Sequence, residues 1–283
     1  MKKGLFIGLI TLDFIYLTSE FPNPNQKIVA SDYTVAAGGP ATNAAVTFSY
    51  LGNQSTLLGV VGTHSIDRLI RSDLEYYKVA IVDLDPNRTE PPPVSSIIVT
   101  QGTGDRAVIS LNASKAQIPS DRIPPDILQN IDLVLIDGHQ MEVSYAIAQQ
   151  AKSKNIPIVI DGGSWKPGFE NLLPLVDYAI CSANFHPPNC HNQQEVFSYL
   201  SKIGIPHIAI THGEKPIQYH SNNTTDSIEI PKINPIDTLG AGDIFHGAFC
   251  HYILQTSFPK ALESAAKIAS HSCQFFGTHH WMN

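Results

Sequence analysis

The chain has 283 residues, of which 43% are hydrophobic and 15% charged, and its formal net charge is −7. This length and composition allow one large α/β core, and the acidic balance argues against nucleic acid and anionic membranes as partners. An acidic protein can still bind ATP, because backbone amides and magnesium hold phosphates locally. No segment reaches the roughly 18 unbroken apolar residues of a membrane span, so no membrane partner is predicted.

The opening segment, MKKGLFIGLITLDFIYL, places a basic pair before an apolar run. Asp13 interrupts the run and no small-residue cleavage site follows, so the segment is typical of a buried first strand rather than a signal peptide. The cysteines lie far apart and form no C-x-x-C pair, which indicates free thiols in a reducing compartment. A cytoplasmic protein is therefore predicted, with these cysteines buried: Cys181, Cys190, Cys250 and Cys273.

Short apolar runs alternate with amphipathic stretches along most of the chain. The predicted strands are 5–10, 55–61, 133–137, 157–161, 178–181 and 207–211, and the predicted helices are 41–51, 66–77, 143–154, 195–203 and 243–254. Near-continuous apolar strands separated by helices predict a mostly parallel sheet with helices on both faces. Ligands of such sheets lie beyond the carboxyl ends of the strands, so a site is expected at the loops of Asp137, Asp161 and Asn184.

Two regions, about 13–36 and 94–111, carry strand-like alternation without a long helix between their strands. The segment Gly102-Thr103-Gly104-Asp105 is typical of a hairpin turn between strands at 96–100 and 106–111. Together the two regions predict a small, mostly antiparallel sheet apart from the main one, in the position of a lid. The chain as a whole, 1–283, is predicted to form a single domain.

The stretch DTLGAGD, residues 237–243, precedes the helix predicted at 243–254. Its glycines allow a tight turn that exposes successive N–H groups at a helix N-terminus, which suits a phosphate oxygen. A carboxylate in the first helical turn, here Asp243, can accept the proton of an attacking hydroxyl during phosphoryl transfer. For the isolated string, a helix cap that complements the helix dipole is the simpler explanation. The string is neither a P-loop nor a dinucleotide-binding fingerprint.

Two motifs at opposite ends of the chain resemble the signatures of the ribokinase-like (PfkB) carbohydrate kinases. Residues 237–243 match D-T-x-G-A-G-D, and GGPATNAA at 38–45, followed by Leu51-Gly52, is similar to the N-terminal signature of that family. The likeness covers essentially the full length. It implies a three-layer α/β/α sandwich with a mostly parallel central sheet and a β-sheet lid, and ATP-dependent phosphorylation of a sugar hydroxymethyl group. GGPATNAA and the turn DGG at 161–163 look most like the ketohexokinase and sulfofructose-kinase branch.

The resemblance implies which residues carry the chemistry. In the family the second aspartate of the C-terminal signature is the base, which here is Asp243, and the preceding Gly240, Ala241 and Gly242 form the anion hole. ATP with Mg²⁺ is the implied phosphoryl donor. Many members help to order magnesium with an N-x-x-E motif, but in this chain a proline stands at the glutamate position after Asn184. Magnesium would then be held mainly by phosphates and water.

The implied sugar-binding residues come from the N-terminal half. Asp13, Gly39 and Asn43 would hydrogen-bond sugar hydroxyls, and His139, just after a predicted strand, would contact the substrate. From the residues alone, Gly39 and Asn43 also fit a tight turn before a helix, and Asp13 also fits a turn after the first strand.

The implied nucleotide-binding residues come from the C-terminal half. The segment THGEKP resembles the T-x-G-x-x-G nucleotide loop of the family with a proline in place of the last glycine, so only Thr211 and Gly213 carry over. Asn184 would lie on the same side, and His271 would flank the adenine, although a histidine without a ligand also fits that position. Asp237 matches a position near the monovalent-cation loop of the family, which implies K⁺, and a structural turn role fits it equally.

The sequence is also compatible with functions other than that of a sugar kinase. A nucleoside kinase of the same fold would need an aromatic or apolar platform for the base, and a ligand-binding or regulatory protein that has lost catalysis is suggested by the missing glutamate. Lid strands of the family often pair between subunits, which implies a homodimer. The histidines show no pairing typical of zinc, so no side-chain metal site is predicted.

Overall fold

The computed structural model describes residues 1–111, 117–222 and 224–283. Its strands are β1 (Lys3–Ile7), β2 (Thr11–Thr18), β3 (Asp32–Gly38), β4 (Gln54–Gly59), β5 (Val79–Asp83), β6 (Val94–Thr100), β7 (Arg106–Ser110), β8 (Leu133–Ile136), β9 (Ile158–Gly162), β10 (Tyr178–Ser182), β11 (His207–His212), β12 (Lys215–Ser221) and β13 (Thr224–Ile228). Its helices are α1 (Pro40–Tyr50), α2 (Asp67–Tyr76), α3 (Met141–Ser153), α4 (Phe169–Leu172), α5 (Gln193–Ile203), α6 (Ala241–Ile253) and α7 (Phe258–Ser272).

The main sheet runs in the order β13-β12-β11-β10-β9-β8-β1-β4-β5. Every neighbouring pair from β5 to β11 is parallel, and the hairpin of β12 and β13 adds antiparallel strands at one edge. The inner strands are buried on both faces because their side chains are apolar throughout, as Leu5, Phe6 and Ile7 of β1 illustrate. Helices α1, α2, α6 and α7 pack on one face, and α3, α4 and α5 on the other. The predicted three-layer, mostly parallel fold is confirmed.

Each strand and helix predicted for the main sheet is present, with its ends shifted by a few residues. The sequence pattern does not predict β5, β12 or β13. Strand β5 lies at the edge of the sheet and is only half-buried, and β13 is mostly exposed. Strand β12 alternates exposed and buried residues. Edge strands need fewer apolar residues than central ones, so their hydrophobic signal is weak.

A second sheet of four strands has the order β3-β2-β6-β7. Strands β6 and β7 form the predicted hairpin and β2 pairs antiparallel with β3, while β2 and β6 are parallel. One face packs on the C-terminal segment through Ile15, Leu17, Ile97, Val99 and Phe276. The interpretation of Asp13 as a turn residue after the first strand is wrong. The first strand ends at Ile7, and Asp13 lies inside β2.

The carboxyl ends of β1, β8, β9, β10 and β11 meet at one edge of the main sheet, because these strands are parallel neighbours. Strand β2 follows β1 after a short link, which brings the second sheet to the same edge. Among the described residues, no helix is both long enough and apolar enough to cross a membrane.

Candidate active site

The DTLGAGD stretch forms the loop that leads into α6. Gly240 is the N-cap residue and has a left-handed backbone, with φ of 70°. Within the described residues, no acceptor lies within hydrogen-bond distance of the N–H groups of Gly242 and Asp243. These donors are the unpaired amides that every helix N-terminus carries, and the helix dipole adds partial positive charge beside them. The loop can therefore hold an anion at the start of α6.

Asp243 lies in the first turn of α6, and its carboxylate is hydrogen-bonded from a distant part of the chain. The Nδ2 group of Asn43 donates to Oδ2 of Asp243 at 2.8 Å. Burial raises the pKa of Asp243 to about 7, and the negative charge of Asp161 acts in the same direction. The Asn43 hydrogen bond and His246 oppose this shift. A carboxyl with this pKa can accept and release a proton near neutral pH.

Asn43 belongs to α1 and is buried. Its Nδ2 is used by Asp243, but its Oδ1 is buried and has no hydrogen-bond partner among the described residues. A buried amide oxygen without a donor is costly, so this atom is ready to accept a hydrogen bond from a ligand.

Close approach of the backbone explains the paired glycines before α1. Gly38 lies against the carboxylate of Asp13, and a Cβ at this position would overlap Oδ2 of that side chain. Gly39 has φ of 103°, and a Cβ there would overlap the carbonyl oxygen of Leu9. Asp13 is buried and accepts a hydrogen bond of 2.7 Å from Oγ1 of Thr11. Burial raises the pKa of Asp13 above its usual value.

Asp137 follows β8 and is fully enclosed by protein. Its Oδ2 accepts the N–H groups of Leu9 at 2.9 Å and Ala41 at 3.2 Å, so it ties the end of β1 to the start of α1. Its Oδ1 accepts the N–H of His139, whose Nδ1 lies 3.1 Å away. Burial alone would raise the pKa of Asp137, but His139, the Leu9 amide and Lys166 outweigh it and lower the pKa to about 2. His139 is thereby fixed beside Asp137, just after the carboxyl end of β8.

The residues predicted to bind nucleotide lie at the ends of β10 and β11. Asn184 is exposed just after β10, and its N–H donates to Oγ of Ser182. Thr211 lies near the end of β11, and Gly213, with φ of 63°, lies in the turn between β11 and β12. His271 is separate from this group: it is exposed in the last turn of α7 and contacts the rings of Phe275 and Trp281 edge-on.

Asp237 joins the loop before α6 to the C-terminal segment. It is buried, its Oδ1 accepts the N–H of Leu239 at 2.8 Å, and its Oδ2 accepts the N–H of Gly277 at 2.9 Å. Burial raises the pKa of Asp237. Both carboxylate oxygens therefore stabilise the loop backbone, which is the turn role considered from the sequence.

Two further residues lie at the site to which sequence reasoning assigns no role, although it does expect a site at the loop of Asp161. Asp161, at the end of β9, is buried next to Asp243, and His246 lies one turn after Asp243 on α6. The Nδ1 atom of His246 is 3.4 Å from Oδ2 of Asp161. The strand end at DGG is the sequence signal for Asp161. No pattern marks His246, because it lies within an apolar helical stretch.

The second sheet touches the loop before α6 through its hairpin. Nη1 of Arg106 donates to Oγ1 of Thr238 at 2.8 Å and to its carbonyl oxygen at 3.3 Å. Oγ1 of Thr238 in turn donates to the carbonyl oxygen of Gly104 at 3.1 Å. The turn between β6 and β7 is therefore held against the anion-binding loop.

Comparison with known proteins agrees with this arrangement. A model described as pfkB family carbohydrate kinase matches residues 1–282. Ribokinase from Lactococcus lactis is 26% identical, over 98% of this chain and 92% of its own. The nucleoside kinase of Methanocaldococcus jannaschii is also 26% identical, over 88% of this chain and 82% of its own. Arabidopsis thaliana ribokinase, solved in complex with ribose and ATP, has a similar fold, with a TM-score of 0.76, 20% identity, and 98% and 93% of the two chains covered. Because the family model spans nearly the whole chain, this protein belongs to the pfkB family of carbohydrate kinases.

Proposed function

We propose that this protein is an ATP-dependent carbohydrate kinase that transfers the γ-phosphoryl group of ATP to a hydroxymethyl group of a sugar. The observation that carries the proposal is the first turn of α6. There the carboxylate of Asp243 lies beside the unpaired N–H groups of Gly242 and Asp243. Phosphoryl transfer needs a proton acceptor for the attacking hydroxyl and fixed positive charge around the moving phosphoryl group. One helical turn supplies both.

In this mechanism Asp243 accepts the proton of the hydroxymethyl group as the hydroxymethyl oxygen attacks the γ-phosphorus, while the bond from that phosphorus to the bridging oxygen of the β-phosphate breaks and ADP leaves. Its pKa of about 7 suits a general base near neutral pH. The anion hole proposed at Gly240, Ala241 and Gly242 would stabilise the charge that spreads over the transferred oxygens. Its donors would be chiefly the N–H groups of Gly242 and Asp243, because the N–H of Ala241 donates to the carbonyl oxygen of Thr238 at 3.4 Å. Magnesium would come with ATP, would be held mainly by phosphate oxygens and water, and would supply positive charge to the transferred phosphoryl group.

The sugar would lie between the second sheet and the start of α1. Oδ1 of Asn43, which is buried with no hydrogen-bond partner among the described residues, would accept a hydrogen bond from one sugar hydroxyl. Asp13 and the backbone at Gly39 border the same space, since Gly38 contacts Asp13 and Gly39 contacts Leu9. His139, fixed by Asp137, would contact the sugar from the end of β8. Paired donors and acceptors at fixed positions are what recognition of a polyol requires.

The nucleotide would lie across the ends of β10 and β11, where Asn184, Thr211 and Gly213 would contact its phosphates and ribose. From the resemblance to the family, the exposed His271 in the last turn of α7 is proposed to flank the adenine. From the resemblance to the family we also propose K⁺ as a structural ion near the loop of Asp237, although the carboxylate oxygens of Asp237 already accept the amides of Leu239 and Gly277. A rate that is the same in K⁺ and in tetramethylammonium would remove the ion from the proposal.

A substrate screen tests the kinase function. ADP release is measured with Mg–ATP and a panel of ketoses, aldoses, polyols and nucleosides, and the binding of each candidate is measured by titration calorimetry. We expect ADP release that depends on one class of sugar. Binding of a sugar and an ATP analogue without ADP release from any panel member would instead identify a catalytically silent binding protein.

A nucleoside kinase of the same fold is the second candidate, and the relative from Methanocaldococcus jannaschii favours including it. The polar set of Asp13 and Asn43 around the substrate space favours a sugar. The two candidates separate in the screen, because a nucleoside kinase phosphorylates the nucleoside and leaves the free pentose unreacted.

We also propose that two copies pair through the second sheet. Its outer face carries Tyr16 opposite Tyr33, and next to them Phe14 and Val35 are half-buried against the main core. Tyr33 and Ile109 on this face are 68% and 72% exposed. A sheet face of this kind fits a second copy of itself. Light scattering should give a dimer that Ile109→Asp converts to a monomer, whereas a monomeric wild type at micromolar concentration would contradict the proposal.

A cytoplasmic location is proposed for the protein as well. All four cysteines are buried and free. Free thiols are expected in a reducing compartment.

A further inference from the structure

We propose that His246 is a positioning residue whose ring carries a proton on both nitrogens, and that this imidazolium orients the Gly242–Asp243 peptide and stabilises the ionised form of Asp243. The effect on catalysis rests on the kinase function proposed above. The protonation of the ring does not, because it follows from the hydrogen bonds alone.

The hydrogen-bond partners of His246 are both acceptors. The side chain is buried, its Nδ1 lies 2.7 Å from the carbonyl oxygen of Gly242, and its Nε2 lies 3.2 Å from the carbonyl oxygen of Ile180 in β10. Carbonyl oxygens accept hydrogen bonds and cannot donate them, and a neutral imidazole donates from one nitrogen only. Either neutral tautomer would leave a ring lone pair facing a carbonyl oxygen, which is costly in a buried place. The doubly protonated ring satisfies both contacts.

The charges around the ring also favour a cation. Asp161 approaches Nδ1 of His246 to 3.4 Å and is buried, and its negative charge acts on Asp243 as well. Burial raises the pKa of the thiols of Cys181 and Cys250, which keeps them neutral. The groups that face this cluster are Asp161 from β9, Asp137 from β8, Cys181 from β10, Asp243 and Cys250 from α6, and the neutral amide of Asn43 from α1. Asp137 is already paired with His139 and Lys166, so Asp161 and Asp243 are the carboxylates whose charge His246 offsets.

A single peptide unit, between Gly242 and Asp243, connects His246 to the proposed anion hole. The carbonyl of Gly242, which accepts from His246, and the N–H of Asp243, which has no acceptor among the described residues, belong to the same peptide. A cationic donor on the oxygen fixes the plane of this peptide and polarises it, so the N–H becomes a stronger donor to a phosphate oxygen. The positive charge of His246 also lowers the pKa of Asp243, against the effect of Asp161.

The protonation state is tested on the full-length wild-type protein by nuclear magnetic resonance of the histidine ring nitrogens, with histidine-selective ¹⁵N labelling. The signals of His246 are assigned by their loss in His246→Gln. We expect both ring nitrogens to carry protons at pH 7. His251 on the same helix is the internal contrast, because its Nδ1 lies 2.8 Å from the donor Nδ2 of Asn53 and should be unprotonated. An unprotonated ring nitrogen on His246 would overturn the proposal.

The positioning role is tested by kinetics. In His246→Gln and His246→Asn we expect kcat to fall about 10- to 100-fold, KM for the sugar to change less than about threefold, and the acid limb of the kcat–pH profile to move to higher pH. A purely structural role would lower thermal stability and leave the limb in place. His251→Asn is the matched control and should keep the wild-type limb. An unmoved limb in both His246 variants would refute the positioning role. A wild type that phosphorylates no substrate would instead refute the kinase function and leave the resonance result standing.

Discussion

Asn43 and Asp243 are 200 positions apart in the chain, and a hydrogen bond of 2.8 Å joins Nδ2 of the first to Oδ2 of the second. The first lies near the start of α1 and the second near the start of α6, and these helices pack directly where Gly247 meets Ala44. An amide donor stabilises the ionised carboxylate, so the N-terminal motif acts on the charge of the C-terminal one. The two motifs form one site.

The pKa of Asp243 predicts the pH dependence of the reaction. Its folded-state pKa is raised from 3.8 to about 7, so the carboxyl is protonated and inactive as a base below pH 7 and ionised above it. We expect kcat/KM to rise with pH through about 7 and then level off. Because Asp243 and Asp161 interact, the midpoint describes the pair. Initial rates at saturating Mg–ATP from about pH 5 to about pH 9 measure it, and a flat profile would contradict the prediction.

Removing the Asn43 side-chain amide should move the acid limb of this pH profile, which is the range over which the rate rises with pH. Asn43→Ala deletes a hydrogen bond that lowers the pKa of Asp243, so the limb is expected at higher pH, with kcat at pH 7 reduced about tenfold or more. KM for the sugar should rise as well, since the Oδ1 acceptor is lost. The ionisation of ATP contributes equally to the pH profiles of the wild type and the variant. A difference between the two profiles therefore reports the ionisation of a protein group. Identical limbs would show that Asn43 does not control the base.

Two glycines of α6 should respond oppositely to alanine. A Cβ at Gly242 meets no atom within 4 Å, and Gly242 is helical, so Gly242→Ala should stabilise the fold by about 0.5–1 kcal/mol. The same methyl would occupy the anion hole, and kcat/KM for ATP should fall about tenfold or more.

Gly247→Ala is the matched variant on the same helix. Its Cβ would overlap the carbonyl oxygen of Ala44 and lie 2.7 Å from Cβ of Thr47, so unfolding in urea should show a loss of about 1–3 kcal/mol. If Gly242→Ala kept full activity, the anion hole would be misassigned.

The Arg106–Thr238 contact predicts a role for the second sheet in closing the site. Arg106→Ala removes the hydrogen bonds of 2.8 and 3.3 Å to Thr238, so KM for ATP should rise about three- to tenfold and ATP hydrolysis without sugar should increase. Stability should change by less than about 0.5 kcal/mol, because Arg106 is exposed. Arg122→Ala, another exposed arginine, is the control. Equal kinetics in the two variants would show that the contact is incidental.

Local signals explain what the sequence predicts well. Gly39 and Gly240 have positive φ angles of 103° and 70°, which require glycine. Both lie within motifs that can be recognised from the amino-acid sequence alone. The strands of the main sheet are equally visible, because a parallel strand covered on both faces is a continuous apolar run.

What the sequence does not predict depends on contacts between distant elements. Asp161 ends β9 and His246 lies on α6, and only the packing of this helix on the sheet brings them to 3.4 Å. The position of Asp13 inside β2 is hidden for a related reason: the apolar run continues from β1 into β2 without a break that marks the change of sheet.

The comparison of Asp243→Asn with the wild type tests the central claim most directly. The asparagine side chain has nearly the same shape as the aspartate that it replaces, but its amide cannot accept the hydroxyl proton. We expect an unchanged or slightly higher melting temperature, undiminished binding of an ATP analogue, and a loss of kcat of about 10³-fold or more with the best sugar of the panel. Turnover near that of the wild type in a folded Asp243→Asn protein would contradict the account, because phosphoryl transfer would then proceed without this base.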